Sequence, residues 1–341
     1  MGDAALGIRR HSLNRVLFDK GAGHTVLSQA ITANGHPHHG GLGILNQADI
    51  SYYAYRVFGA LVPWVPPRVG YRVFEWLGDL AYLRSEASRE SVMDNLRHVL
   101  GDQANPERLS AICRSVFRNQ ARNYYDLFRL PALTAEHVKS IATLRGLEHL
   151  EEALRRGKGA IAFSAHFGNL EIVGHLFGIH GYGMVAPAEH LEPDKLFRYV
   201  VSLRARHGLR PLPADGFMRP LFRTLRRNGI VGLAGDRNLT GTGTWTEFFG
   251  APALLPDGHV QLALRTGACL VPAFGFRHSD NTLSGVVEPA LDLKRTGDFQ
   301  SDLRSGMAQV VEVLERYIGQ YPEQWVMFQP LWAPQPGLRS S

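Results

Sequence analysis

Apolar and polar positions change their rhythm twice along this chain. Residues 1 to about 48 are rich in Gly, His, Asn and Ala and hold no sustained period, which reads as a mobile tail. From Tyr52 the text turns dense and aromatic, YYAYRVFGALVPWVPPRVGYRVFEWLGDLAYL, broken by Pro63, Pro66 and Pro67. That pattern predicts a helix, a proline corner and a second helix. Residues 88–140 continue as helices that end near Pro131. Beyond them apolar runs alternate with amphipathic ones. The predicted strands are Gly159–Ser164, Gly183–Ala186, Leu209–Leu212, Ile230–Gly235, Ala268–Phe276 and Thr282–Val287. The predicted helices are Leu147–Gly157, one opening near Gly168, then Asp194–His207, Phe217–Arg227, His259–Thr266 and Asp302–Ile318. Strands alternating with helices imply an α/β sheet covered on both faces. The chain thus divides into a tail (1–48), one domain (49–332, with a helical entry over 49–140 and an α/β core over 141–332) and a second tail (333–341).

Composition narrows the picture. Of the 341 residues, 45% are hydrophobic and 20% charged, which supports a real core and excludes a disordered chain. Two cysteines, Cys113 and Cys269, cannot build a disulfide framework or a four-cysteine zinc site, so a reducing compartment fits best. Cys269 reads as a small buried hydrophobe. The net charge of +6 favours anionic partners without choosing among nucleic acid, anionic lipid and phosphorylated small molecules. No apolar run reaches the roughly 18–20 residues of a spanning helix, and the first residues lack a secretory apolar stretch. The expectation is a protein in the cytosol or on a membrane surface. Trp64 and Trp76, interleaved with Arg56, Arg68 and Arg72, suit a membrane interface. The alternative is that the same face packs on the rest of the protein. His36-Pro37-His38-His39 reads as part of a solvated tail rather than a metal site.

Sites in α/β sheets form at the carboxyl ends of strands. At the end of the first strong strand stands Ser164-Ala-His166-Phe-Gly168-Asn169-Leu-Glu171. On one continuous helix His166 and Glu171 would point roughly 140° apart. If His166 lies in the turn and the helix starts beyond it, Glu171 can fold back to the ring and support the imidazolium as His166 removes a proton. Gly168 permits the turn, and N–H groups at the helix start would steady an oxyanion. By spacing alone, a capping or packing histidine is the competing reading.

The block Phe163-Ser-Ala-His166-Phe-Gly-Asn-Leu-Glu171 resembles the His-x4-Asp/Glu signature of the glycerophospholipid acyltransferase superfamily. Within it the chain is similar to the branch of lipid A biosynthesis acyltransferases and phosphatidylinositol mannoside acyltransferases. Ala188-Glu189-His-Leu-Glu-Pro193, Ser202-Leu-Arg204, Gly235-Asp236-Arg237-Asn238-Leu239, Glu247-Phe248-Phe249-Gly250 and Pro322-Glu323-Gln324-Trp325 agree in order, so the resemblance covers about residues 50–332. It implies a mixed, mostly parallel sheet flanked by helices, with N-terminal membrane-associating helices, making 49–332 an acyltransferase domain. It also implies transfer of a long acyl chain from acyl-CoA or acyl-carrier protein to a hydroxyl of an anionic glycolipid, such as a phosphatidylinositol mannoside, or of a phospholipid. No cofactor is implied beyond that co-substrate, and the expected place is the cytoplasmic face of the inner membrane, held peripherally. By the resemblance His166 is the general base and Glu171 its partner. Glu189, Arg204 and Glu247 fall where the mannoside acyltransferases carry polar active-site groups, and Asp236-Arg237 matches the Asp-Arg following a core strand, all read as substrate-binding. The second signature position is Glu here where many members have Asp.

Simpler readings compete. Glu247 reads equally as a rim carboxylate, Asp236 as a turn cap, and Glu189 with Arg204 as a surface pair. Arg198, Arg204, Arg206, Arg210, Arg219, Arg223, Arg226 and Arg227 crowd residues 194–227, opposed only by Asp194 and Asp215. They suit CoA phosphates, a carrier protein's acidic helix or anionic headgroups, or form a solvated face. No nucleic-acid motif accompanies them. Ser164 lacks a nucleophile elbow. The rival functions are a lipid A or lysophospholipid acyltransferase and a non-catalytic lipid-binding protein.

Overall fold

The computed structural model describes residues 47–213, 218–238 and 241–332. The two tails, with the His36–His39 tract, lie outside the described residues apart from Gln47 and Ala48, which open the first helix.

The helical entry follows the proline punctuation. Helix α1 (Gln47–Leu61) stops just ahead of Pro63, a short 3₁₀ turn carries Val62–Trp64, and α2 (Pro67–Arg84) opens with Pro67 at its first position, where the missing N–H costs nothing. Helix α3 (Glu86–Leu100) and the long α4 (Pro106–Arg129) complete the entry; Asn105 caps α4 by accepting from the Arg108 N–H. Gly78 lets α2 lie directly on α4, since a Cβ there would come within 2.8 Å of the Arg118 backbone. Ion pairs from Asp79 to Arg114 and Arg118, and from Glu75 to Arg122, line the same contact.

The core elements are α5 (Ala135–Ile141), β1 (Ala142–Arg145), α6 (Leu147–Arg155), β2 (Ala160–Ser164), α7 (Leu170–Ile179), β3 (Met184–Ala188), α8 (Asp194–Arg204) and β4 (Leu209–Pro213), then α9 (Met218–Arg226), β5 (Ile230–Ala234), β6 (Thr244–Phe248), β7 (Ala251–Leu255), α10 (Gly258–Thr266), β8 (Cys269–Arg277), β9 (Leu283–Val287) and α11 (Phe299–Gln320). Seven strands form one sheet in the order β1-β9-β8-β2-β5-β3-β4, parallel at every pairing except β8 with β9. The α/β sheet expected from the alternation forms, and it is mixed and mostly parallel, as the resemblance implied. Every residue of β2 is buried, as a central parallel strand covered on both faces requires. Ile161 and Phe163 enter a core shared with α9, α10 and α11, while Ala160 and Ala162 enter one shared with α6 and α7.

Three strands carry no advance signal in the chain. Strand β1 is a short edge strand beside β9. Strands β6 and β7 form an antiparallel ribbon whose two-residue turn is Phe249-Gly250, with φ of +48° and +73°. Such a turn demands positive φ at both positions and normally announces itself with Asn or Asp before Gly. Here a phenylalanine occupies the first, its ring packed on Phe248 and Trp332.

Candidate active site

Strands β2 and β5 run parallel with Ser164 opposite Ala234, so the residues just beyond each strand emerge side by side. From β2 comes His166 and from β5 comes Asp236. The Asp236 carboxylate is fully buried and accepts three hydrogen bonds: from His166 Nδ1 (2.8 Å), from the His166 backbone N–H (2.9 Å) and from Trp325 Nε1 (2.9 Å). Burial pushes its carboxyl upward, but the His166 ring, with the indole and backbone donors, outweighs this and holds it below the ordinary aspartate range. An ionised carboxylate only accepts, so Nδ1 of His166 carries a proton, and the tautomer this selects has its lone pair at Nε2. The His166 side chain is 34% exposed, and Nε2 has no hydrogen-bond partner among the described residues. A base with its far nitrogen fixed and its near nitrogen open is equipped to take a proton from a hydroxyl.

The turn that presents His166 is held from several sides. Gly168 sits at φ +53°, and a Cβ there would come within 1.8 Å of the Gly275 carbonyl, so only glycine fits. Val326 N–H donates to His166 O, Asn123 Nδ2 to Gly168 O, and Gly168 N–H to Gln324 O. Asn169 caps α7 by accepting from Ile172 N–H and donates through Nδ2 to Asp126. Asp126 also accepts from Tyr71 on α2 and from Arg277, whose side chain is 1% exposed. The helical entry and the turn that carries His166 are thereby parts of one polar network. The amides of His166, Phe167 and Gly168 donate to Asp236, Ala165 O and Gln324 O respectively, so this turn offers none of them to a developing oxyanion.

The geometry corrects the expected pairing of His166 with Glu171. Glu171 lies in the first turn of α7 and pairs with Arg204 Nε at 2.5 Å, at the end of α8, both side chains about one third exposed. The helix begins after the turn, as expected, but Glu171 is directed toward α8, and the carboxylate at the ring comes from seventy residues downstream. Glu189 and Arg204 are not a pair either. Glu189 receives both terminal nitrogens of Arg237 (2.7 and 2.9 Å), while Arg237 Nε donates to Gln329. Glu247 is exposed on β6, on the face opposite buried Phe248, and makes no ion pair among the described residues. Five of the seven singled-out residues thus fall into two carboxylate–guanidinium pairs and one carboxylate supporting His166. Arg204 and Arg206 are committed elsewhere, Arg206 donating to Pro131 O, so the arginine-rich stretch is not one surface.

Trp325 is a residue of the candidate site that pattern reading quoted only as part of a closing motif. It is 1% exposed, with its indole N–H on Asp236. His259 is another: buried on α10, stacked on Phe163 and close enough to Asp236 for their charges to interact, with Nε2 unpartnered among the described residues. Burial lowers its pKa to about 4, so it is neutral beside the dyad. Ser164 is buried with its hydroxyl unpartnered, and Cys269 is buried within β8 as expected. Among the described residues no helix is long and apolar enough to cross a membrane.

Residues 45–333 match the family model described as bacterial lipid A biosynthesis acyltransferase. A phosphatidylinositol mannoside acyltransferase of Mycobacterium tuberculosis is 33% identical over 270 residues, covering 74% of this chain and 79% of that protein. One of Mycolicibacterium smegmatis is 30% identical over 256 residues, covering 74% and 82%.

Proposed function

Because the chain belongs to the family of bacterial lipid A biosynthesis acyltransferases, and is therefore an enzyme that transfers acyl groups in lipid or glycolipid synthesis, we propose that it moves a long fatty acyl chain from acyl-CoA to a hydroxyl of an anionic glycolipid of the phosphatidylinositol mannoside kind, at a membrane surface. The observation that carries this reading is the imidazole of His166 at the carboxyl edge of the sheet, locked at Nδ1 by buried Asp236 and open at Nε2. His166 Nε2 takes the proton of the acceptor hydroxyl as its oxygen attacks the thioester carbonyl. Asp236 steadies the imidazolium that forms. The tetrahedral intermediate then breaks its C–S bond, and His166 returns the proton to the departing thiolate. Transfer of the proton out and back leaves the enzyme unchanged and yields an ester and a thiol. The Glu171–Arg204 and Glu189–Arg237 pairs lie at the ends of neighbouring elements and supply polar groups for sugar hydroxyls or phosphate.

Membrane attachment is supported by the outer face of α1 and α2. Ile50, Tyr53, Val57 and Leu61 recur at steps of three, four and four, all exposed, and Trp64 and Trp76 are 86% and 62% exposed. Nine of the eleven large hydrophobic side chains that are exposed among the described residues lie between 50 and 83. A patch so extended, beside exposed Arg68 and Arg72, matches an interfacial helical pair better than a solvated one. The test is incubation with labelled acyl-CoA and a panel of glycolipid and lysophospholipid acceptors in vesicles. Label in a mannosylated phosphatidylinositol supports the reading. Label in a lipid A precursor or a lysophospholipid replaces the acceptor, and bound lipid without transfer by the native protein removes the catalytic role.

A further inference from the structure

Helix α9 has two unlike sides. Leu221 and Leu225 are fully buried in the large core, while Arg219, Arg223 and Arg226, at steps of four and three, are exposed on the other side, with Arg227 just past the helix end. The half-buried Phe222 and the side chains of all four arginines, chiefly their carbon stems, line a single surface hollow of about 490 Å³, with the charged ends at its rim. No carboxylate answers them: among the described residues none of the four arginines makes an ion pair, whereas Arg204, Arg237, Arg277 and Arg316 are each held by one. No acidic residue occurs between Asp215 and Asp236. Four like charges around one hollow repel each other, and an anion in the hollow relieves that repulsion.

The hollow has a definite place relative to the dyad. Helix α9 joins β5 through Arg227-Asn228-Gly229, a connection short enough to make helix and strand antiparallel. Consistently, Gly159 at the start of β2 lies against the Leu225 and Gly229 carbonyls. Arg219 therefore sits toward the sheet edge where β5 delivers Asp236, and Arg226 about 10 Å further down the helix, at 1.5 Å per residue.

We propose that this hollow binds the phosphate groups of the thioester donor, the 3′-phosphate and pyrophosphate of acyl-CoA, with the adenine against Phe222. Guanidinium forks match phosphate oxygens in pairs, and an aromatic ring among them accepts a base face. An indentation of this size fits a compact nucleotide, whereas a carrier protein needs a broad face of roughly 800 Å². Lipid headgroups share the phosphate chemistry, but the apolar stripe that would meet a bilayer lies on α1 and α2, which pack on α4 and α8, while α9 packs on β5 and α10. The proposal rests on the acyl-CoA reading above and extends it to a site.

The full-length protein and its Arg223→Glu/Arg226→Glu variant are titrated with adenosine 3′,5′-bisphosphate by calorimetry and assayed with acyl-CoA and acyl-pantetheine, which lacks the nucleotide. Saturable binding to the native protein, weakened at least tenfold by the double reversal, is expected. So is an at least tenfold fall in the ratio of kcat/KM for acyl-CoA to that for acyl-pantetheine. A variant that binds the bisphosphate as well as the native protein overturns the site. So does a variant that keeps this binding but no longer floats with phosphatidylglycerol vesicles, which assigns the arginines to headgroups. A native protein that uses acyl-pantetheine without binding the bisphosphate loses the site and keeps the transfer reading; one that binds it but uses neither donor keeps the site and loses that reading. If the reversal does not fold, Arg223→Gln/Arg226→Gln removes both charges without adding new ones, and the same outcomes apply.

Discussion

Trp325 and Trp64 share one indole and have opposite surroundings. Trp325 is 1% exposed, packs against Phe248 and donates its N–H to Asp236 at the centre of the site. Trp64 is 86% exposed at the proline corner of the entry. Around Trp325 a chain of hydrogen bonds runs from Asp236 through His166 to the turn held by Gln324 and Asn123. Around Trp64 large apolar side chains face outward. Under the proposed function the contrast separates two tasks. Chemistry needs fixed donors and acceptors in a dry setting, where a misplaced group costs rate. Attachment needs apolar area and cations, with little demand on geometry.

The largest effects are expected at the dyad. His166→Ala should lower turnover by about 10²–10⁴, as should Asp236→Asn, which keeps the shape but loses the charge that sets the tautomer. Glu171→Gln should cost less rate than Asp236→Asn, because its partner is Arg204 and not the ring. Steady-state kinetics on the three folded variants checks the order, and a larger loss at Glu171 would return that residue to the ring. Next comes the network joining the two regions. Asp126→Ala leaves Arg277 buried without its carboxylate and should cost about 3–5 kcal/mol, read from the denaturant midpoint.

The third effect follows pH. Burial lowers both His175 and His259 to about 4, from an ordinary 6.5. The unfolded chain takes up these protons first as pH falls, so this contribution is complete above about 6.5 and is lost progressively down to about 4. Each histidine contributes up to about 3 kcal/mol. Melting curves between pH 7 and 4 should fall accordingly, and His259→Phe should flatten that fall. The smallest effect on stability is expected at the outer face. Trp64→Ala with Trp76→Ala should change unfolding by no more than about 0.5 kcal/mol each while reducing flotation with anionic liposomes, in a salt-sensitive way. Equal flotation of the double variant and the native protein would take the face away from the membrane.

Much of this was legible in the chain because it depends on neighbours in sequence. The period of apolar residues sets strands and helices locally, so β2 through β5 and their helices fall within a few residues of their expected places. Gly168 and the proline corner mark backbone turns for the same reason. The β6–β7 ribbon escaped because tertiary packing, rather than a turn sequence, holds Phe249 at positive φ. The exposure of the apolar stripe on α1 and α2 needed the fold as well, since such a stripe reads alike whether it is covered or bare. His166 at a strand end could be read directly; its partner could not. Spacing favoured Glu171, five residues away, but the first turn of α7 directs that carboxylate to Arg204 on α8. Parallel pairing of β2 with β5 brings the ends of two strands seventy residues apart to hydrogen-bond distance, and that register, decided only when the sheet assembles, makes Asp236 the partner of His166.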